Sequence, residues 1–169
     1  MCGIVGYIGA QDAQPILLDG LRRLEYRGYD SAGIAVLGDG SIRVCKCAGR
    51  IAALEALAQA HPLPGSLGIG HTRWATHGEP SDRNAHPHTD VKGEIAIVHN
   101  GIIENHQALR AHLEGKGCRF VSQTDTEVAA HLLHSLYRGD PLAALRQAMH
   151  LLEGSYAMAM ICESHPEAL

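Results

Sequence analysis

The sequence predicts an α+β fold: two β-sheets with helices packed outside them. Three observations predict it. Candidate strands come in clusters, candidate helices come in pairs, and neither pattern gives the regular alternation of a parallel α/β sheet. No linker-like stretch interrupts the 169 residues, so a single domain over 1–169 is expected. At this length a chain buries roughly two thirds of the surface its unfolded form exposes, enough to fold without disulfides or metal.

The elements follow in order. Residues 2–9 are a short apolar run closed by Gly9, which reads as a buried strand. A helix is expected from about Asp12 to Glu25, with Leu17, Leu21 and Leu24 on one face and Pro15 confined to its first turn. Residues 26–31 are a glycine-broken loop. Ala32 to Leu37 and Ser41 to Cys47 flank Gly38-Asp39-Gly40 as a hairpin. The Ala- and Leu-rich segment 51–60 is helical and stops at the prolines 62 and 64. A strand at 66–72 runs into an irregular polar segment, 73–93, of the kind that carries function in compact domains. Glu94 to His99 reads as a buried strand followed by Asn100-Gly101, and 104–114 as a helix. Thr124-Asp125-Thr126-Glu127 has capping-box spacing and opens a helix carrying Val128, Leu132 and Leu136. After Gly139-Asp140-Pro141 a further helix places Leu142, Leu145, Met149 and Leu152 on one face. Residues 155–162 then read as a strand buried on both sides.

Composition removes several functions. Lys and Arg total 14 against 18 Asp and Glu, a net charge of −4, which excludes nucleic-acid binding driven by bulk positive charge. Apolar runs fall far short of the ~20 residues that span a bilayer, so no membrane association is expected. Met1 is followed at once by Cys2-Gly3, without a signal-peptide pattern, and the expected location is the cytoplasm, with the 5 cysteines reduced. The 12 histidines invite a metal reading. Yet His71 and His77 are six apart, His86 and His88 two apart, and Cys45-Lys46-Cys47 has no second cysteine pair at zinc-site spacing. No metal and no cofactor are expected. His86 and His88 are candidates for a pocket rim.

Cys2 stands apart by position. Once Met1 is removed, its thiol and a free α-amine belong to the same residue. A free thiol is only a few per cent thiolate near neutrality, whereas an α-amine is a base poised near working pH. The logic is that of N-terminal threonine nucleophiles. An amide in place of that amine is no base, so this chemistry requires the loss of Met1.

Five blocks in order carry a resemblance. They are Cys2-Gly3-Ile4-Val5-Gly6, Tyr26-Arg27-Gly28-Tyr29-Asp30-Ser31-Ala32-Gly33, His71-Thr72-Arg73-Trp74-Ala75-Thr76-His77-Gly78, His99-Asn100-Gly101-Ile102-Ile103-Glu104-Asn105 and Thr124-Asp125-Thr126-Glu127. Together they resemble the class II, or N-terminal-nucleophile, glutamine amidotransferases, over essentially the whole chain. Their spelling is closest to the branch that aminates fructose 6-phosphate.

The resemblance implies a four-layer αββα sandwich of the N-terminal-nucleophile hydrolase type. It also implies hydrolysis of L-glutamine to glutamate and ammonia through a glutamyl thioester on Cys2. Asn100 and Gly101 then match the oxyanion hole, where losing one donor typically costs roughly 2.7–4 kcal/mol. Arg73 matches the clamp on the glutamine carboxylate, a task suited to its planar fork. Asp125 matches the partner of the α-ammonium, Thr76 and His77 the pocket lining, Trp74 a covering loop, and Arg27 a residue near the nucleophile. Sugar-isomerase domains are expected after Leu169, with fructose 6-phosphate as acceptor and a homodimer in the full-length form. Two other readings remain open: the same chemistry with a different ammonia acceptor, and a non-catalytic glutamine- or metal-binding module.

Overall fold

The computed structural model describes residues 2–169; Met1, and with it the question of its removal, lies outside the described residues. The strands are β1 (Gly3–Ile8), β2 (Ser31–Gly38), β3 (Ser41–Ala48), β4 (Leu67–Arg73), β5 (His88–Thr89), β6 (Ile95–Ile103) and β7 (Gly154–Cys162). The helices are α1 (Ala13–Leu24), α2 (Ile51–Ala60), α3 (His106–Gly115), α4 (Asp125–Leu136) and α5 (Pro141–Leu151). Two antiparallel sheets result, ordered β1-β4-β2-β3 and β5-β6-β7.

Side-chain alternation on the central strands builds four layers. On β2, Ala32, Ile34 and Val36 pack with Leu17 and Leu21 of α1 and Ile51 and Leu54 of α2. The intervening Ala35 and Leu37 face the other way and meet Ala96 and Val98 of β6 and Ile161 of β7. On β6, Ile95, Ile97 and Ile103 pack against Val128, Leu132 and Leu133 of α4 and Ala144 and Ala148 of α5. The order is therefore helix, sheet, sheet, helix: an αββα sandwich with three apolar interfaces. Each fully buried leucine or isoleucine contributes roughly 1.5–3 kcal/mol relative to its exposed state.

Three local expectations are corrected. The strand expected to end at His99 continues to Ile103, so Asn100-Gly101 lies inside β6 and pairs with Ala157 and Tyr156 of β7. On α5 the buried stripe is Pro141, Ala144 and Ala148, while Leu142 and Met149 are exposed. Small residues face inward because they let the helix approach closely. And β7 is not buried on both sides: it lies at the edge of its sheet, and only Ile161 and Cys162 are fully covered.

Side chains cap the N-termini of α4 and α5. Thr124 Oγ1 accepts the Glu127 N–H at 3.2 Å, and Asp140 Oδ1 accepts the Ala143 N–H at 3.0 Å ahead of Pro141. Glu127 does not return to the Thr124 N–H as a reciprocal box would. Its carboxylate accepts the Val121 N–H at 2.8 Å and the Ser122 N–H and Oγ at 2.6 Å each. That grip fixes the segment leading into α4.

Candidate active site

The sheet register brings the N-terminus to the end of β4. Gly3 pairs with Thr72, which sets Cys2 beside Arg73, the last residue of that strand. The Trp74 N–H donates to Cys2 Sγ at 3.2 Å, and the thiol reaches the Trp74 carbonyl at 3.6 Å. From the second sheet, Asn100 Nδ2 donates to the Cys2 carbonyl at 3.5 Å.

Arg73 is 3% exposed, and its guanidinium is occupied. It donates to the carbonyls of His77, Gly78 (2.9 Å) and Glu79 (3.4 Å), and Asp30 Oδ1 stands 3.8 Å away. Burial pushes its pKa down, and the neighbouring Asp30, Cys2 and Asp125 act against that. Asp30 also accepts the Ala75 N–H. Segment 74–79 is thus wrapped around one buried cation and one carboxylate.

Asp125, in the first turn of α4, is buried and accepts the Ile103 N–H at 2.9 Å. The imidazoles of His77 and His99 lie 3.9 and 4.0 Å from its oxygens. Thr76 Oγ1 and His77 Nδ1 are 3.3 Å apart. Gly101 carries φ of +118°, and a Cβ there would lie 2.2 Å from the Ser155 carbonyl oxygen; only glycine fits.

Cys2, Arg73, Trp74, Thr76, His77, Gly101 and Asp125 line one cavity. Asn100 reaches it through its bond to Cys2. Arg27 closes a single 3₁₀ turn after α1 and is not among the lining residues. His86, His99 and Thr124 line the cavity too. Sequence reasoning named only His86 for a rim. The signals for the other two are adjacency: His99 precedes Asn100, and Thr124 caps the helix that carries Asp125. His88 sits behind the lining, its Nε2 3.0 Å from Thr124 Oγ1. The free volume is about 10 Å³, room for about one water and far less than an amino acid occupies. As it stands, the space does not hold an amino acid.

A histidine cluster adjoins the cavity and gives His86 and His99 to its wall. His71 and His86 stack with ring centroids 4.3 Å apart, and His86 meets His88 edge-on at 4.9 Å. Burial pushes His71 down to about 4, and His86 and His88 well below the usual imidazole value. His99 is lowered by burial as well, against the raising effect of Asp125. These rings are neutral at working pH. All five cysteines are free thiols. Elsewhere, Asp90, Glu94 and His134 bring three ligand atoms within 4.8 Å of one another, and His134 Nδ1 is already paired to Asp90 at 2.7 Å.

A nucleophile candidate, a buried arginine, a buried aspartate and an Asn-Gly pair thus meet in one small space. Residues 71–169 match the family described as glutamine amidotransferase domain. The chain belongs to that family. Among its relatives, the glutamine–fructose-6-phosphate aminotransferase (isomerizing) of Symbiobacterium thermophilum is 57% identical over 169 residues, all of this chain and 28% of that protein. The Thermus thermophilus enzyme of the same name is 58% identical over 167 residues, 99% of this chain and again 28% of the relative. The chain therefore spans little more than a quarter of the relatives' length.

Solved amidotransferases share the architecture. The glutamine phosphoribosylpyrophosphate amidotransferase from B. subtilis, complexed with ADP and GMP, superposes with a TM-score of 0.79 at 29% identity, covering 96% of this chain and 35% of that one. A structure described as the allosteric regulatory enzyme of purine biosynthesis gives 0.83 at 28% identity, over 96% and 36%. The αββα sandwich of this chain is shared with both structures.

Proposed function

We propose that this amidotransferase chain hydrolyses L-glutamine, with Cys2 as nucleophile. The observation that carries the reading is the convergence of Cys2, Arg73, Asp125 and Gly101 on one cavity, with Asn100 bonded to the Cys2 carbonyl. After Met1 is lost, the Cys2 α-amine takes the thiol proton as sulfur attacks the side-chain amide carbon. The tetrahedral oxyanion is met by Asn100 Nδ2 and the Gly101 N–H. The amine passes its proton to the leaving nitrogen, the C–N bond breaks, and ammonia departs. Water then attacks the glutamyl thioester, returning the thiol and glutamate. Arg73 holds the substrate carboxylate and Asp125 its ammonium, Thr76 and His77 complete the wall, and Trp74 covers the site. Arg27 lies in the tyrosine-rich loop and is assigned a place near the nucleophile by the resemblance; its neighbour Gly28 stands against the Trp74 ring. No metal or cofactor takes part.

The longer protein passes the ammonia to fructose 6-phosphate, giving glucosamine 6-phosphate, through isomerase domains that follow this chain. It works in the cytoplasm as a homodimer. The high identity to the fructose-6-phosphate enzymes supports this acceptor. A phosphoribosyl acceptor is the second reading, supported by the likeness to the phosphoribosylpyrophosphate amidotransferase at about half that identity.

Intact mass reports whether Met1 is gone. Ammonia release from glutamine is then assayed on the processed protein and on Cys2→Ala. Loss of activity in the variant is expected; equal release from both defeats the nucleophile assignment, and glutamine binding without turnover in either marks a binding module. Product analysis with fructose 6-phosphate and with phosphoribosyl pyrophosphate, using the full-length protein, separates the two acceptors.

A further inference from the structure

The oxyanion role proposed for Asn100 makes a demand that its own residue does not meet. A carboxamide has a donating and an accepting end, and only the NH₂ end stabilises a developing negative charge. Something must decide which end faces Cys2. We infer that His71 is the positioning residue that fixes the Asn100 carboxamide with its NH₂ toward the reacting centre. This rests on the glutaminase reading above and deepens it.

The geometry is direct. His71 Nε2 lies 2.9 Å from Asn100 Oδ1. A carbonyl oxygen only accepts, so this contact is a hydrogen bond in the tautomer with the proton on Nε2, and the other end of the amide, Nδ2, points to Cys2. With that tautomer, the reversed amide would set NH₂ against N–H, two donors face to face. His71 is fully buried on β4 and does not line the cavity, so it touches no substrate and acts through Asn100 alone. Its ring has little freedom. His86 stacks on it at 29° between planes, and His86 Nε2 is held 2.6 Å from Thr126 Oγ1. Thr126 Oγ1 also meets His99 Nδ1 at 3.0 Å and follows Asp125 in the first turn of α4. A rigid path thus runs from the helix end that carries the ammonium partner, through two stacked imidazoles, to the oxyanion donor. Burial keeps His71 neutral, so its ring has a single N–H, and the Nε2–H tautomer gives it to Asn100.

The test is a double-mutant cycle on ammonia release from glutamine, with His71→Phe, Asn100→Ala and both together. Phenylalanine keeps a ring for the stack and removes the donor. For His71→Phe, kcat is expected to fall by about 10²–10³, the size of one lost oxyanion donor, with KM changed by less than about twofold. Because both residues serve one interaction, the double variant should be no slower than Asn100→Ala within about threefold. His71→Gln, which keeps an N–H, should recover at least about tenfold over His71→Phe. Wild-type kcat in His71→Phe, losses that multiply in the double variant, or His71→Gln no better than His71→Phe would each overturn the inference. If His71→Phe fails to fold, His71→Asn, too short to reach Asn100, takes its place in the same cycle. Full activity in Asn100→Ala has a different meaning: it removes the oxyanion reading itself.

Discussion

The Trp74 N–H donates to the sulfur of Cys2, so the candidate nucleophile is also the first anchor of the segment that covers it. The second anchor is Asp30, which accepts the Ala75 N–H and stands 3.8 Å from Arg73. Cys2, segment 74–79, Asp30 and Arg73 are one connected unit. A change at any of them reads out at the others.

Asp30→Ala tests that connection away from the substrate. It removes the acceptor for Ala75 and the carboxylate nearest Arg73. A stability loss of about 1–3 kcal/mol is expected, as for a buried donor left without a partner. The KM for glutamine should rise about tenfold, because segment 74–79 loses its seat. Urea unfolding and initial-rate kinetics check both, and an unchanged KM counts against the anchor.

Gly101→Ala tests the backbone. The added methyl would lie 2.2 Å from the Ser155 carbonyl oxygen and 2.8 Å from Tyr156 Cα, at φ of +118°. Neither neighbour is a flexible side-chain end. The pairing of β6 with β7 must open, at a cost of about 3 kcal/mol or more, and glutaminase activity should disappear with it. A variant with wild-type Tm would show that the strand tolerates a side chain there.

The histidine cluster predicts acid sensitivity. His71 titrates at about 4 when folded and near 6.5 when unfolded, so below 6.5 the unfolded chain binds the proton that the folded chain refuses. Stability is therefore complete above about pH 6.5 and falls as pH drops toward 4. His71 alone accounts for about 3 kcal/mol over that range. His86, His88 and His99 are shifted the same way and steepen the fall. Urea unfolding at pH 7.5, 6.5, 5.5 and 4.5 measures the slope; a flat profile would mean the rings find protons without leaving the fold.

Glu127 predicts a separate, more acidic effect. Burial alone would raise its carboxyl. The approach of His131, the Ser122 hydroxyl and the Val121 and Ser122 N–H groups outweigh burial and hold it at about 2. Its stabilisation is thus full above about pH 4.5 and is lost as pH falls toward 2. Glu127→Gln should cost about 3 kcal/mol at pH 7, and the gap to wild type should narrow by pH 3.5. A gap independent of pH would assign the loss to packing rather than to charge.

Much of the fold is legible because one face of each element must be apolar. Leu17 and Leu21 mark the buried stripe of α1, and both are fully covered. The pattern misleads where burial does not follow size. Ala144 and Ala148 face the core of α5, while the larger Leu142 and Met149 face out. The strand is expected to stop at His99, before Asn100-Gly101, but Gly101 carries its positive φ inside a paired strand. At the site, the five sequence blocks name most of the cavity. They do not reveal the imidazole stack. His71 and His86 sit 15 positions apart on a strand and in an irregular segment, and no periodicity links them. Only the tertiary fold makes them neighbours.

Arg73 is described above as wrapped by the carbonyls of His77, Gly78 and Glu79. Those acceptors occupy the donors that a substrate carboxylate would claim. In the role proposed for Arg73, glutamine would bind by exchange: its carboxylate would replace peptide oxygens and set free the segment they belong to. The measured affinity is the intrinsic one multiplied by the fraction of molecules whose loop has already let go. A partner that stabilises the released loop would tighten glutamine binding without touching glutamine at all.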